Sequence, residues 1–519
     1  MKRIRVLVVL ALLSATSMTL LLPTHAETTT RHTIVDTFAE GGGSDSEVFA
    51  LPDDVVRKIV ASEEVEYRSL RVRCDSYTSG PCASDSTGYS FRLYLPVCSA
   101  ASTSFCVEGI QVSAGKGSPL VSGIPLGEVE GRSFDPIPAK GLPRASTPSR
   151  WEVPGVNHSA GKNTYVVKVL VDAFKTAAAK DIWIFDVSAI VEPYAVGPIV
   201  VVDGNEVCTA WRVKDVCATK VDFAPQQRVA LSLRLPNTVT GWLNGRLKDA
   251  SIEVTPIDGA QNKLRVEAEP VLVPEVSVTL TKSQFDALPN PSFFLPQGEI
   301  WNSVNAGNPM ALEWIRQLSG VMKDTASGEH TSWAFSTIGG LYANDCFNDK
   351  TRLIGLVTTN AAVYSPGAPD FDNEFLNYKV GGLHYRPDGK SLNIGTYDLL
   401  MRSDVARCLY RFTSAPLSAT VTIADDSGGE KRVETTFLDE KDGWLRLGAY
   451  GFTFSRPVLK VKLSGTRANS SSSAAKPETK AESKASKKRT DYTVKCKKGK
   501  TVKTMIVAMP NCPAGWKKV

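Results

Sequence analysis

The runs 353-LIGLVTTNAAVY, 395-GTYDLLMRSDVARCLYRF, 419-ATVTIADDSGG, 443-GWLRLGAYGFTF and 457-PVLKVKL, all between Trp333 and Leu463, decide the fold. The first is almost continuously apolar, the pattern of a strand covered on both faces. Those after Cys408 tend to alternate, one face wet and one buried, with Gly and Asp in the turns between them. A bridge between Cys346 and Cys408 would close a loop of about 60 residues, worth roughly 4 kcal/mol in the chain-entropy picture. These are the marks of a sheet-rich, stapled domain rather than of a catalyst.

Working outward, 164-TYVVKVLV, 182-IWIFDVSAIV, 199-IVVVDG, 207-VCTAWRVKDVC, 228-RVALSLRL and 263-KLRVEAEPVLVPEVSVTL read as further strands, as do 65-VEYRSLRVRC, 89-YSFRLYLPVC and 105-FCVEGIQVSA. Gly, Asn and Pro between them predict antiparallel connections. Two helices stand out. Leu51 to Ser62 has Pro52 and the acids Asp53 and Asp54 at its start, with Val55, Val56, Ile59 and Val60 on one face. Pro309 to Lys323 follows the capping Asn308 and carries the stripe Ala311, Trp314, Ile315, Leu318, Val321 and Met322, which packs on a sheet. The expected class is mainly β: several antiparallel, sandwich-like domains with a few short helices, stapled by disulfides.

At 519 residues the chain exceeds one ordinary core. Composition shifts divide it into a signal peptide at 1–26, a disordered Thr- and Gly-rich segment at 27–46, and a small β domain at 47–150. A sandwich-like domain follows at 151–288, then a β domain with one packed helix at 289–464. A low-complexity linker at 465–490 leads to a basic module at 491–519.

Export is read from the amino terminus. Lys2, Arg3 and Arg5 precede the apolar Val6 to Leu22, and Thr24-His25-Ala26 ends in a small residue suited to cleavage. The alternative is an uncleaved membrane anchor, although Ser14, Thr16, Ser17 and Thr19 interrupt the apolar run. The ten cysteines fall as Cys74/Cys82, Cys98/Cys106, Cys208/Cys217, Cys346/Cys408 and Cys496/Cys512, an even set of near neighbours expected to form structural bridges. Crossed pairing as 74–98 and 82–106 is left open by their shared offset. Their spacings are too wide for a zinc site.

Tests for chemistry return little. His32, His158, His330 and His384 lie far apart, and no nucleophile-elbow motif occurs. The segment 155-GVNHSAGKN has the wrong spacing for a phosphate loop and Asn163 where a hydroxyl is needed. Ser113/Lys116 and Ser159/Lys162 each satisfy S-x-x-K without companion motifs. Asp370, Asp372 and Glu374 offer oxygen ligands but no EF-hand loop, so a solvated acidic turn is expected. No catalytic residue, cofactor or metal site is assigned. A carboxylate pair for glycoside hydrolysis cannot be located by sequence, because its separation is a matter of folding.

The carboxyl terminus carries the clearest functional signal. Fourteen Lys and Arg face three acidic residues between 467 and 519, a net +11, while residues 27–466 carry −8. In 492-YTVKCKKGKTVKTMIVAMPNCPAGWKKV, Lys495, Lys497, Lys498, Lys500, Lys503, Lys517 and Lys518 crowd a unit closed by Cys496 and Cys512, with Tyr492 and Trp516 available for stacking. Such a cluster attracts polyanions within a Debye length of about 8 Å. Outside a cell these are anionic wall polymers, lipid headgroups or stray nucleic acid. No specific nucleic acid and no protein partner is indicated, and the bland alternative is a solubilising tail.

The segments 395-GTYDLLMRSDVARCLYRFTSAPLSATVTI and 443-GWLRLGAYGFTFSRPVLKVKL resemble large exported actinobacterial proteins of unassigned activity. The ending C-K-K-G-K…P-N-C-P-A-G-W-K resembles a short terminal module attached to varied exported proteins of the same bacteria. The resemblance implies location and architecture, and a tethering role for the tail; it implies no catalytic residue. Three readings follow: a secreted, envelope-associated binding or structural protein, an extracellular glycan hydrolase using two carboxylates, and an adhesin.

Overall fold

The computed structural model describes residues 31–35, most of 45–464, and strands within 492–518. Outside the description lie 1–30, 36–44 and 465–491, together with 62, 64–68, 101–104, 181, 198–199, 203–204, 214–215, 295–309, 339–343, 350, 366, 373, 412–417, 425–429, 434, 455–457, 499–500, 508–516 and 519. The expected signal peptide and linker fall there. The chain divides into two compact units, Met1–Ala468 and Asn469–Val519.

The first unit is mainly β, built on a fifteen-stranded sheet. Its main path runs Val72–Arg73, Glu47–Pro52, Thr87–Tyr94, Thr164–Lys175, Trp183–Gly197, Ala334–Ile338, Gly241–Arg246, Leu353–Thr359, Ile394–Arg402, Trp444–Thr453 and Thr435–Lys441. Every neighbour pair is antiparallel but one: Gly241–Arg246 runs parallel to Leu353–Thr359. A five-stranded sheet (Lys248–Pro256, Gln261–Glu269, Val229–Pro236, Cys106–Ser113 and Leu120–Ser122) supplies one layer. Its Val107, Ile110, Leu231, Leu233 and Val266 share a core with Phe91, Val169, Val171 and Val187 of the large sheet.

A six-stranded sheet containing Phe375–Gly381 and Val458–Ser464 supplies the other layer, together with the helices Ala311–Leu318 and Ser403–Tyr410. Tyr378, Val461, Trp314 and Val405 pack there against Ile354, Val357, Leu399 and Leu447. The strand Leu353–Thr359 is buried along its whole length, as its unbroken apolar run predicts.

Strand pairing crosses the positions near 150 and 288. Thr87–Tyr94 pairs with Thr164–Lys175, and Trp183–Gly197 pairs with Ala334–Ile338. The segment 115–155, rich in Pro, Gly and Ser, contains the strands Leu120–Ser122, Ile124–Glu128 and Ser149–Glu152. Within the segment read as disordered, Arg31–Val35 pairs with Ser277–Thr281.

The helices also differ from expectation. The helix Ala311–Leu318 begins after Met310 and is shorter than 309–323, and Asn308 and Pro309 lie outside the described residues. Lys323 and Asp324 take positive φ just beyond it, which no helix continues through. Pro52 stands outside the first helix, Asp53–Val60, as its N-cap residue. Within 395–412, read as strand, residues Ser403–Tyr410 form a helix. Val405, Ala406, Leu409 and Tyr410 recur at helical spacing and are buried, and Arg411 ends the helix at φ 56°.

Among the described residues four bridges are formed: Cys74–Cys82, Cys98–Cys106, Cys208–Cys217 and Cys346–Cys408. The crossed alternative is thereby excluded. Cys346–Cys408 ties the helix Ser403–Tyr410 to the turn Asp345–Phe347.

Gly355 lies where both layers press on the large sheet. A Cβ there would meet the Trp242 ring and would sit 2.7 Å from the Leu400 carbonyl oxygen. Gly355→Ala is therefore expected to cost about 1–3 kcal/mol, the range for overpacking a core. Urea unfolding measures this directly, and an unchanged midpoint would contradict the packing described.

Candidate binding surfaces

One face of the large sheet carries a charged row. Strand register sets Glu47 opposite Arg92, Arg92 opposite Asp172, and Asp172 opposite Asp186. Alternate residues of these strands, Phe91, Val171, Ala173 and Val187, face the core, so the row faces away from it. Facing residues of an antiparallel pair hold their Cβ atoms about 4.5–5.5 Å apart, which makes Asp172 and Asp186 a carboxylate pair.

Both carboxyls are half-buried, and burial is the first cause of a raised pKa in each. Asp172 is pushed up to about 6, moderated by the charge of Arg92 and pushed further by Asp186 and Glu47. Asp186 is also raised, though it accepts a hydrogen bond from Thr337 Oγ1 at 2.9 Å. That hydroxyl in turn accepts the Val187 amide proton at 2.8 Å.

Aromatic rings adjoin the pair. The register slips between Ile184 and Asp186, leaving Phe185 as an extra, bulged residue. Phe185 stacks on Phe174 with centroids 5.3 Å apart, and Trp183 stacks on the same ring at 6.1 Å. Phe174 is fixed from beneath by Leu51, Val55 and Val56. Trp183 and Phe185 remain 41% and 38% exposed. Exposed rings beside half-buried carboxylates suit a ligand with an apolar C–H face and hydroxyl donors at its edge. Sequence reasoning had one available signal: an acid placed inside each of two apolar strands.

A third raised carboxyl is closed to solvent. Asp398, fully buried on Ile394–Arg402, accepts hydrogen bonds from Tyr450 OH at 2.7 Å and the Asp249 amide at 3.1 Å. Asp249 itself lies between Arg228 and Arg446, 2.8 and 3.1 Å away. This network joins the strand Lys248–Pro256 to the large sheet. Burial pushes Asp398 up to about 7, with the Tyr450 and Asp249 hydrogen bonds opposing it.

The residues singled out in the sequence are placed as follows. His158 is buried, with its Nδ1 accepting the Ala160 amide proton at 3.3 Å, and burial lowers its pKa. His330 pairs with Glu275 at 3.0 Å, and His384 Nδ1 meets the Phe454 carbonyl at 2.8 Å. Ser113 Oγ accepts the Arg228 amide proton, and Ser159 Oγ donates to the Asp222 carbonyl, so both hydroxyls of the S-x-x-K motifs are engaged with backbone. Glu374 of the acidic cluster pairs with Lys462 at 2.8 Å. Among the described residues no group of three or more His, Cys, Asp or Glu could hold a metal, and no helix is long and apolar enough to cross a membrane.

The second unit is a three-stranded sheet ordered Thr501–Val507, Tyr492–Lys498, Lys517–Lys518. Its register sets Cys496 opposite Lys503 on one side and Lys518 on the other, and Lys497 opposite Lys517. Lys495 and Lys498 lie on the central strand. Lys500, Cys512 and Trp516 lie outside the described residues.

No family model matches the chain, and no curated protein or solved structure matches it either.

Asp398 carries a pH dependence whose sign is fixed. Below about pH 4 the carboxyl is protonated in both folded and unfolded chains and carries no ionisation penalty. Between about 4 and 7 only the unfolded chain ionises, so this group's contribution to stability declines as pH rises, and it levels off above about 7. Asp398→Asn is expected to remove that decline. Urea midpoints of both proteins from pH 4.5 to 8 test it, and parallel profiles would refute the assignment.

Proposed function

We propose that this is an exported, envelope-associated binding protein. The second unit contacts anionic envelope polymers, and the aromatic and carboxylate face of the body contacts glycans. The observation that carries the reading is the register of the second unit, which sets Lys497 opposite Lys517. Like charges opposite one another in a sheet oppose pairing by a few tenths of a kcal/mol or more. An anionic polymer lying across them relieves that repulsion. The body, at −8 between residues 27 and 466, is repelled by the same polymer, so attachment falls to the tail.

Removal of 465–519 is expected to release the protein from envelope material at low salt. High salt is expected to release the full chain as well, because exposed charge contacts are screened. Lys497→Glu with Lys517→Glu should weaken retention without removing the unit. Cosedimentation with purified wall material measures all three, and equal partition of full-length and truncated chains would sink the attachment.

Hydrolysis is the competing reading, and Asp172 with Asp186 is the pair it would use. A retaining pair places its carboxyls about 5–5.5 Å apart and needs one acid kept protonated while the other stays ionised. Here burial pushes both in the same direction, which favours a ligand accepted over a bond broken. Incubation with wall glycans is expected to release no new reducing ends. Release abolished by Asp172→Asn or Asp186→Asn would replace binding with catalysis.

A further inference from the structure

A cavity of about 510 Å³ opens where two sheets of the body end side by side. The five-stranded sheet contributes Leu235, Leu264 and Asn262 to its wall, and the large sheet contributes Leu353, Arg402 and Trp444. The three leucines are buried and form the apolar part of the lining. The volume lies within the range of small-molecule sites, about 300–1,000 Å³.

Two guanidinium groups on this wall are held in place from behind. Arg402 donates from Nε and Nη2 to Asp404, at 3.0 and 2.9 Å. Arg352 donates from Nε to Asp349 at 2.8 Å, and its Nη2 lies 3.2 Å from the Asp404 oxygen that Arg402 Nη2 also meets. Each guanidinium thus spends its Nε and Nη2 side on carboxylates, and Nη1 of each makes no hydrogen bond among the described residues. The Asn262 side-chain amide likewise has no partner among them, and Trp444 is only partly buried.

We infer that this cavity binds an acidic sugar, a single pyranose ring bearing one carboxylate. With their Nε and Nη2 groups engaged by Asp404 and Asp349, the two guanidinium groups each keep Nη1 as a charged donor for a carboxylate oxygen. The indole of Trp444 accepts the C–H face of a ring, and the Asn262 amide serves its hydroxyls. Asp258 and Asp442 on the same wall select against a more highly charged ligand such as a phosphate. The inference does not depend on envelope attachment, because it concerns a site in the body and is tested in solution.

Isothermal titration of the purified full-length chain with glucuronate, glucose and inorganic phosphate tests it. Glucuronate is expected to bind at least about tenfold more tightly than glucose, and phosphate to give no heat. Arg402→Gln should lower glucuronate affinity about tenfold or more, the scale of a lost charged hydrogen bond. Because Arg402 also supports Asp404, the half-exposed Asn262→Asp provides a second variant that keeps volume and adds one negative charge. It should weaken glucuronate by a larger factor than glucose, because only glucuronate meets the added charge. No heat with glucuronate, equal affinity for glucose, or glucuronate binding indifferent to Asn262→Asp would overturn the proposal.

Discussion

Everything in the body rests on one strand pair being covered on both sides. Gly241–Arg246 and Leu353–Thr359 run in parallel at the middle of the large sheet, and their side chains feed two separate cores. Trp242, Ile354 and Val357 belong to one; Leu243, Leu353 and Leu356 belong to the other. A strand in that position cannot carry a solvated face, so it becomes a continuous apolar run. Arg246 is the charged residue of this pair, and the position tolerates it only with partners: its guanidinium donates to the Ala361 and Ala362 carbonyls, the latter at 2.6 Å, and lies over the Tyr364 ring. A buried cation without such partners would cost several kcal/mol. The turn after Thr359 is therefore bound to the sheet by the same residue that closes the neighbouring strand.

That constraint decides where ligands can be met. The middle of the large sheet is closed on both sides, which leaves its ends and its uncovered face. Burial raises Asp398 and Asp172 alike, yet their consequences differ. Asp398 is sealed between two sheets with its hydrogen bonds directed at backbone and Tyr450, so its proton affects stability. Asp172 and Asp186 stand on a face that exposed rings border, so their protons affect whatever is bound there. The same physical cause yields a structural group in one place and a candidate contact in the other.

The legibility of the sequence follows from how local each feature is. Leu353–Thr359 is readable because being covered on both faces leaves a mark on consecutive residues. Short-span bridges such as Cys98–Cys106 are readable for the same reason. The helix Ser403–Tyr410 is not, because Val405, Ala406, Leu409 and Tyr410 sit inside a longer apolar run whose strand half supplies equal evidence. The charged row is further from reach: Glu47, Arg92, Asp172 and Asp186 become neighbours only through three strand registers, of which the Asp172–Asp186 one alone joins consecutive strands. Likewise the Pro and Gly that punctuate 115–155 mark turns but do not reveal that strands between them join the large sheet. The cavity beside Trp444 depends on strand ends from four parts of the chain, and no local pattern records that meeting.

The function proposed above divides the physics of recognition between range and selectivity. Charge on a small sheet acts over about a Debye length and distinguishes little beyond sign. Stacked rings, fixed guanidinium forks and half-buried carboxyls act only on contact, and there they discriminate by shape and by hydrogen-bond count. A body carrying net negative charge gains little from long-range attraction to an acidic polymer, so its contacts must be short-range ones. On the proposed reading the lysine-rich unit holds the chain near the polymer and leaves shape selection to the body. Raising local concentration in this way lets weak contacts on the body count, since a second binding event within one chain takes place at an effective concentration set by the tether. The proposal therefore assigns selectivity to the body and proximity to the tail.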